Sequence, residues 1–373
     1  MRKTKMLMSG AAIAVISAAI LMCGGCQNSQ KETTAATAQV ETAAQTEAES
    51  TTEETTAAEE KSKTDGNTVI DAADREVEIP EKVEHVAITC NGGTTQEVAI
   101  LGNADMIVAQ PSMKKFPMLL KMYPQFKDVT DGGSFDKVNV EELMNTNPDL
   151  VLVGVSSEKG NAQIEDAGMK TYTMLIGWAG VDSLKQEFLN MGKILGNEEK
   201  AQLLVDHWNT TLSNLDEMLS KVPENERKTV YYTGSEITKA NTGDWGRSWI
   251  AGSGGIFAVP EGVKGEISVE QVMEWNPDVI VTQGGNGTDG LLNNESVQDI
   301  TAIKNKEVYE CPIGAFWWDR PSPESTLGFL WLAKTLYPDY TQEIDLKQEA
   351  KDFFQTFYEY DLTDEDYESF FFQ

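Results

Sequence analysis

The chain has only two histidines and four cysteines among its 373 residues. Imidazole is the usual nitrogen ligand of zinc and related ions, so this shortage argues against a site for a bare transition metal. We expect no resident cofactor. Cys23 and Cys26 lie near the N-terminus, which leaves Cys90 and Cys311 for the folded part. Two cysteines do not form a disulfide framework, and we expect two buried thiols.

Basic residues are also scarce, because 30 Lys and Arg stand against 60 Asp and Glu, for a net charge of −30. Nucleic acid and anionic lipid both attract basic surfaces, so neither is an expected docking partner. The sequence also lacks a Gly-x-x-x-x-Gly-Lys-Ser/Thr loop, a Gly-x-Ser-x-Gly elbow and a His-Glu-x-x-His pair. We therefore predict that the protein is not an enzyme. A surface-anchored cell-wall hydrolase with paired carboxylates is the alternative left open.

Residues 1–25 are typical of a targeting segment. A positive start at residues 2–5 precedes an apolar stretch at residues 11–22, which is too short to span a bilayer comfortably. The stretch ends at Leu21-Met22-Cys23-Gly24-Gly25-Cys26, which resembles a bacterial lipoprotein signal. The resemblance implies a signal peptide over residues 1–25 and lipidation of Cys26, with Cys23 as the alternative. An ordinary cleaved secretory signal is the other interpretation.

Residues 26–66 consist largely of Thr, Glu, Ala, Gln and Ser. Such a composition cannot bury enough apolar surface to offset the entropy of ordering, which predicts a disordered tether. Together with the lipid anchor, the tether would hold a folded body at the extracytoplasmic face of the cell membrane.

Two stretches of the folded part are near copies of each other. Residues 140–153, VEELMNTNPDLVLV, match residues 269–282, VEQVMEWNPDVIVT. Each predicts a short helix that ends at Asn-Pro-Asp, followed by a buried strand, because proline disfavours helix in the residue before it. A repeated αβ unit predicts two lobes of similar build, each with a glutamate at the same place, Glu141 and Glu270.

The order of the remaining elements predicts an α/β fold with two Rossmann-like lobes, whose parallel-rich sheets are joined by a long backbone helix. Apolar residues recur with helical spacing from Glu198 to Lys221, and such a helix is about 36 Å long at about 1.5 Å per residue. The predicted regions are an N-terminal lobe at 67–180, a helical connection at 181–223, and a C-terminal lobe with terminal helices at 224–373.

Several segments resemble class III solute-binding proteins of ABC importers, the iron-siderophore and cobalamin type. They are residues 68–80, which resemble the opening hairpin of that family, the two Asn-Pro-Asp turns, and the WLAK and LYPD segments at residues 331–339. The resemblance implies that Glu141 and Glu270 dock onto arginines of the permease dimer. The expected protein is a monomer that captures a chelated metal compound, such as a ferric siderophore, corrinoid or haem; a molybdate-like oxyanion is the alternative.

In a two-lobed α/β protein the ligand belongs in the crevice at the carboxyl ends of the strands. The segment Trp317-Trp318-Asp319-Arg320-Pro321-Ser322-Pro323 resembles the Trp-Phe-Glu-Arg-Ala-Ser-Pro segment of the cobalamin binder, whose arginine lines the cleft. Tryptophan and arginine suit a planar, partly anionic guest through stacking and paired hydrogen bonds. The candidate ligand-binding residues are Trp178, Trp245, Arg247, Trp317 and Arg320. For Arg320, an internal partner such as Glu324 is the competing interpretation.

Overall fold

The computed structural model describes residues 67–90, 93–263 and 266–371, which fall in one compact unit, Glu60–Gln373. The predicted signal peptide, Cys26 and the tether lie outside the described residues. The strands are β1 Thr68–Ile70, β2 Glu76–Glu78, β3 Val86–Ile88, β4 Ile107–Ala109, β5 Gly133–Ser134, β6 Lys137–Val138, β7 Leu150–Gly154, β8 Thr171–Met174, β9 Thr229–Thr233, β10 Ile256–Phe257, β11 Val279–Thr282 and β12 Val308–Glu310.

Helices alternate with these strands. The α-helices are α1 Gly93–Leu101, α2 Pro117–Met122, α3 Val140–Asn145, α4 Glu158–Asp166, α5 Val181–Leu195, α6 Glu198–Leu219, α7 Asp244–Gly252, α8 Val269–Trp275, α9 Asp289–Leu292, α10 Thr301–Asn305, α11 Ser325–Leu336, α12 Leu346–Phe353 and α13 Asp364–Glu368. A π-helix, Phe354–Tyr358, follows α12, and short 3-10 helices cover Ala104–Met106, Pro124–Lys127, Ile176–Trp178, Glu224–Glu226 and Glu295–Val297.

Each lobe is built on a four-stranded parallel sheet. The first has the order β4-β3-β7-β8 and the second the order β10-β9-β11-β12. The central strands β7 and β11 are buried along their whole length, as their apolar, β-branched sequences predict for strands covered on both faces. The predicted fold class, two α/β lobes with parallel sheets, is confirmed.

The helix α6 has 22 residues and is the long helix predicted from the apolar spacing. The left-handed Gly196 ends α5, with a φ of 73°, and the side chain of Asn197 then accepts a hydrogen bond from the backbone N–H of Lys200. One face of α6 is buried, including Leu204, Trp208 and Leu215. In the described residues, no helix is both long enough and apolar enough to cross a membrane.

The two repeats form the same turn. Asn147 and Asn276 have φ values of 49° and 44°, the left-handed conformation that asparagine tolerates at a helix end. In the first lobe, Asp149 Oδ2 accepts hydrogen bonds from the backbone N–H groups of Glu84 and His85, both at 2.8 Å. In the second, Asp278 Oδ2 accepts from Thr229 N–H and Thr229 Oγ1, both at 2.8 Å. Each aspartate thus fixes the start of a neighbouring strand.

Cys90 and Cys311 are free thiols and both are buried, as predicted. Cys90 follows β3 in the first lobe and Cys311 follows β12 in the second. Burial raises the pKa of Cys90 to about 12. The thiolate, which is the reactive form, is therefore suppressed.

Candidate functional site

A cavity of about 240 Å³ lies where the carboxyl ends of the two sheets face each other. Residues that follow strands of both lobes line it, as expected for a ligand site in an α/β protein. The lining residues are Gly93, Thr94, Glu97, Ile176, Gly177, Glu187, Gln283, Phe316, Trp317, Arg320 and Pro321.

The two lobes meet closely around this cavity. The side-chain nitrogen of Gln96 donates a hydrogen bond to the carbonyl of Ala315 at 2.9 Å. At Gly93, the first residue of α1, an added Cβ would lie 2.5 Å from the carbonyl oxygen of Pro321. Phe116 packs edge-on against Trp317, with ring centroids 4.8 Å apart. The structure therefore has a narrow, formed cleft between the lobes.

Arg320 is the cation of the C-terminal wall. With the Asn241 amide oriented to satisfy both groups, the Asn241 oxygen accepts from Arg320 Nη1 at 2.6 Å and Nη2 at 3.1 Å. Among the described residues, no carboxylate lies within ion-pair distance of Arg320. A guanidinium held by a neutral amide keeps its charge available to an anion in the cavity.

The carboxyl groups near Arg320 accept their hydrogen bonds from other groups. Asp319 Oδ2 accepts a hydrogen bond from the Tyr232 hydroxyl at 2.6 Å. Burial raises the pKa of Asp319, and the Arg320 charge and the Tyr232 bond offset part of that rise. Glu324 accepts from the backbone N–H groups of Phe316 and Ala315, and burial raises its pKa to about 8. Glu324 is therefore not an ion-pair partner of Arg320.

The N-terminal wall carries two buried carboxyl groups. Glu97 on α1 and Glu187 on α5 are 2% and 5% exposed, and they lie close enough for the charge of Glu187 to act on Glu97. Glu187 Oε2 also accepts from the backbone N–H of Leu175 at 2.7 Å, whereas Glu97 Oε2 has no partner among the described residues. Burial and then the charge of Glu187 raise the pKa of Glu97 well above its usual value; burial raises the pKa of Glu187 to about 8.

A strained turn forms one edge of the cavity. Ile176 has a φ of 53°, a rare conformation for a β-branched residue, and both Ile176 and Gly177 line the cavity. Such strain is found most often at functional sites. The next residue, Trp178, is 58% exposed. It lies beside the cavity, but its side chain is not part of the lining.

The other four predicted ligand-binding residues divide into two groups. Arg320 and Trp317 line the cavity, and the Trp317 indole N–H donates to the carbonyl of Gly284 at 2.9 Å. Trp245 and Arg247 do not line it. Trp245 is 2% exposed, and its indole N–H donates to the Asp319 carbonyl at 3.0 Å. It therefore packs beneath the segment that carries Arg320.

Arg247 is also held by contacts inside its own lobe and does not line the cavity. Its guanidinium donates to the carbonyls of Val259 and Pro260 at 3.0 and 2.9 Å and lies over the ring of Phe257. These contacts tie α7 to the loop after β10. We correct the assignment of both Trp245 and Arg247 from ligand contacts to internal contacts of the C-terminal lobe.

Glu141 and Glu270 occupy equivalent positions, each the second residue of its helix, and both are exposed. One turn further along each helix is an exposed methionine, Met144 at 53% and Met273 at 38%. The two repeats thus present the same pair of side chains, one acidic and one apolar, at their surfaces.

The sequence reasoning missed the carboxyl pair. Glu97 lies within α1, and Glu187 lies within the region predicted as a helical connection, so neither is at the end of a strand. The available signal was the helical phase of each residue: Glu187 falls between the buried Leu184 and Met191. Among the described residues, no group of three or more His, Cys, Asp or Glu is placed to hold a metal ion.

Two parallel-sheet lobes with a ligand-sized cavity at their facing edges define a two-lobed binding protein. The family model described as periplasmic binding protein matches residues 88–313, more than half of the chain. The chain therefore belongs to the periplasmic binding protein family, and the predicted resemblance to class III solute-binding proteins of ABC importers is confirmed.

Individual relatives are more distant. The molybdate-binding protein MolA of Haemophilus influenzae is 24% identical over 78% of this chain and 90% of its own. Its molybdate-bound structure superposes with a TM-score of 0.71 at 25% identity, covering 80% of this chain and 99% of that chain. YvrC of Bacillus subtilis, described as an uncharacterised ABC transporter substrate-binding lipoprotein, is 24% identical over 74% of this chain and 87% of its own. The iron(3+)-hydroxamate-binding protein FhuD of Bacillus subtilis is 23% identical over 56% of this chain and 70% of its own.

Proposed function

We propose that the protein is the ligand-capturing subunit of an ABC importer and that its ligand is a small, oxygen-rich anion of the molybdate type. The observation that carries this proposal is Arg320, a cation with no carboxylate partner among the described residues, facing a cavity of about 240 Å³. The first residues of α1, Gly93 and Thr94, line the same cavity, and the N-terminal end of a helix favours an anion.

The size of the cavity supports the smaller of the two ligand classes expected from the sequence. Sites for drug-sized ligands usually enclose about 300–1,000 Å³. Haem or a corrinoid would have to separate Gly93 from Pro321 and Phe116 from Trp317 before it could enter. The name of MolA, a relative that binds molybdate, supports the same choice.

A compact anionic metal chelate is the second candidate. Trp178 is exposed beside the cavity, and Trp317 and Phe316 form an aromatic wall within it. An aromatic surface of this kind suits a planar chelating group, which stacks on it while its negative charge meets Arg320. The FhuD relative, named for an iron(3+)-hydroxamate, supports this candidate.

The two candidates are separated by what the protein carries and binds. Protein isolated from its own cells is analysed by native mass spectrometry, elemental analysis and visible spectroscopy, and the ligand-free protein is titrated calorimetrically with molybdate, tungstate, sulfate, a ferric hydroxamate, haemin and cyanocobalamin. We expect binding of molybdate or tungstate and none of haemin or cyanocobalamin. A co-purifying iron chelate that binds more tightly than any oxyanion would overturn the first choice in favour of the second.

We further propose that the protein is lipid-anchored through Cys26 and delivers its ligand to a permease dimer through Glu141 and Glu270. The equivalent exposure of Met144 and Met273 supports this docking face, since an apolar contact beside each charge would add area to a contact made by both lobes. The anchor is tested by mass spectrometry of the mature N-terminus and by fractionation of Cys26→Ser and Cys23→Ser variants. Release of only the Cys23→Ser variant from the membrane would move the assignment to Cys23.

In this proposal the protein has no catalytic activity, and the paired carboxyl groups of Glu97 and Glu187 belong to ligand binding. The cell-wall hydrolase alternative has a direct test, which is incubation of the purified protein with cell-wall material and analysis for released fragments. Release of fragments that is lost in a Glu97→Gln/Glu187→Gln variant would replace the binding proposal by the enzymatic one.

A further inference from the structure

Glu97 and Glu187 are the most unusual groups in the cavity. Both are carboxyl groups buried away from water, where a negative charge would be poorly solvated. Both line the ligand cavity, both are at least 95% buried, and they lie close enough for the charge of Glu187 to act on Glu97. Two carboxyl groups this close hold together only when at least one of them carries a proton, since two buried carboxylates would repel each other.

The hydrogen-bond arrangement leaves one group unused. Glu187 Oε2 accepts a hydrogen bond from Leu175 N–H at 2.7 Å. Glu97 Oε2 has no partner within the described part of the chain, although Glu97 is 98% buried and lies against the cavity. A buried polar atom without a partner costs about 1–3 kcal/mol. A ligand in the cavity can remove that cost.

We propose that the neutral Glu97–Glu187 pair is a hydrogen-bond donor to the bound anion, opposite Arg320, so that the site binds oxygen-bearing anions only while the pair is protonated. The proposal rests on the proposed function, because it assumes an anionic ligand. One carboxyl O–H is used within the pair, and the second rotates towards a ligand oxygen. The wall then contributes a donor without placing negative charge beside an anion.

The protonation states agree with this arrangement. Burial and mutual repulsion raise the pKa of Glu97 well above its usual value, and burial raises that of Glu187 to about 8, so at neutral pH the pair is mostly uncharged. The other titratable groups that interact with the pair are Cys90 and Tyr172, and burial raises the pKa of both; that of Cys90 is about 12. Arg320 is the charged group that shares the cavity, and it does not titrate below pH 10 or so.

The alternative role of such a pair is a cation site, in which two carboxylates bind a metal or an ammonium group. That role predicts the opposite pH dependence, because a cation binds better as protons leave. A purely structural role predicts no dependence of affinity on the pair at all. The donor role therefore predicts that molybdate affinity falls as the pH rises. The structural role predicts that it stays constant, and the cation role predicts that affinity for a cation rises.

The test is calorimetric titration of the full-length mature protein with sodium molybdate, and with tungstate in parallel, between pH 6.5 and 9.5. For the wild type we expect constant affinity up to about pH 7.5 and a fall approaching tenfold per pH unit above about pH 8, because each binding event then requires proton uptake. The Glu97→Gln/Glu187→Gln variant keeps the shape and the N–H donors but cannot titrate. We expect the fall above pH 8 to be absent from this variant, whatever its affinity at pH 7.

Asp182→Asn is the matched control, because Asp182 is an exposed carboxylate on the same helix as Glu187. It should reproduce the wild-type profile. Infrared difference spectra on molybdate binding give a second readout that does not depend on the double variant folding well: the neutral-carboxyl C=O band of the wild type should shift.

The outcomes separate this inference from the proposed function. Binding of molybdate or tungstate with a flat wild-type profile, or with a fall that survives in the double variant, overturns the inference and leaves the anion proposal standing. Affinity for molybdate that rises with pH also overturns the inference, because a donor that must carry its proton cannot bind better as the proton leaves. Failure of the wild type to bind any oxyanion at any pH overturns both.

Discussion

The two lobes have the same architecture but contribute different kinds of residue to the cavity. Both have a parallel four-stranded sheet, an Asn-Pro-Asp turn, and a helix with an exposed glutamate and methionine. At the cavity, however, the first lobe contributes a carboxyl pair and the start of α1, whereas the second contributes Arg320 and aromatic rings. Repetition therefore fits a partner that meets both lobes in the same way, and divergence fits a ligand whose sides differ.

The largest predicted effect is on transport. The Glu141→Arg/Glu270→Arg double variant should reduce uptake of the ligand to background while ligand affinity in solution is unchanged, because both positions are exposed and belong to the outer helices of the repeats. Guanidinium–carboxylate pairs are oriented and charge-assisted, so reversal replaces attraction by repulsion at both ends of the interface. Uptake by cells and calorimetry on the purified protein measure the two quantities separately.

The single reversals sharpen the comparison between the lobes. If the repeats act equivalently, Glu141→Arg and Glu270→Arg should impair uptake to a similar extent, and Glu142→Arg, which changes the neighbouring exposed carboxylate, should impair it less. A large loss of ligand affinity in either single variant would contradict the docking assignment. If all variants take up the ligand equally well, the repeated glutamates have no role in transport.

The second prediction tests the C-terminal wall. Arg320→Ala should weaken anion binding by about 1.5–3 kcal/mol, or about 10- to 150-fold in Kd, because a charge-assisted hydrogen bond in a buried site is lost. Arg247→Ala is its matched control: the guanidinium donates to backbone carbonyls of its own lobe and lies over the Phe257 ring, so this variant should lower the free energy of unfolding and leave Kd unchanged. Calorimetry and thermal unfolding of both variants distinguish the two roles, and equal Kd values would reject Arg320 as a ligand contact.

The different roles of Arg320 and Arg247 show which features can be predicted from the sequence and which cannot. The repeat at residues 140–153 and 269–282, and the apolar spacing of α6, depend on local rules for helix ends and strand burial, and these predicted the fold correctly. Trp245, in α7, and Trp317, after β12, are both predicted from the sequence to line the cleft, and no local pattern states which one turns into the core. That choice is made by tertiary packing, here the contact of the Trp245 indole N–H with the Asp319 carbonyl.

The carboxyl pair was hidden for the same reason. Glu97 and Glu187 are 90 residues apart in the sequence and belong to different helices, so no spacing brings them together. Acidic residues are also numerous in this chain, and the usual place of a glutamate is the surface. Their burial follows from the packing of α1 against α5, which only the folded structure contains.

The third prediction tests whether ligand binding depends on the close contact between the two lobes at Gly93 and Pro321. Gly93→Ala should weaken ligand binding, because the new Cβ would lie 2.5 Å from the Pro321 carbonyl and must push the lobes apart. Overpacking of this kind costs about 1–3 kcal/mol. Gly177→Ala is the control in the same cavity, since a Cβ there would meet nothing within 4 Å. Calorimetry should show reduced affinity for the first variant and not for the second; the same affinity in both would mean that the lobes separate without cost.

The smallest effect concerns the turns that the lobes share. Asp149→Asn and Asp278→Asn should each destabilise the protein by about 0.5–1.5 kcal/mol at neutral pH, because each aspartate accepts two hydrogen bonds at the start of a neighbouring strand. Hydrogen bonds from the backbone N–H groups of Glu84 and His85 lower the pKa of Asp149 in the folded protein. Its contribution to the free energy of unfolding is therefore fully present above the unfolded pKa of about 3.9. It is lost as the pH falls through the lower pKa of the folded protein. Urea unfolding of wild type and Asp149→Asn at pH 7 and near pH 3 should therefore show a difference that shrinks in acid. A difference that grows in acid would mean that the turn is held by something other than the ionised carboxylate.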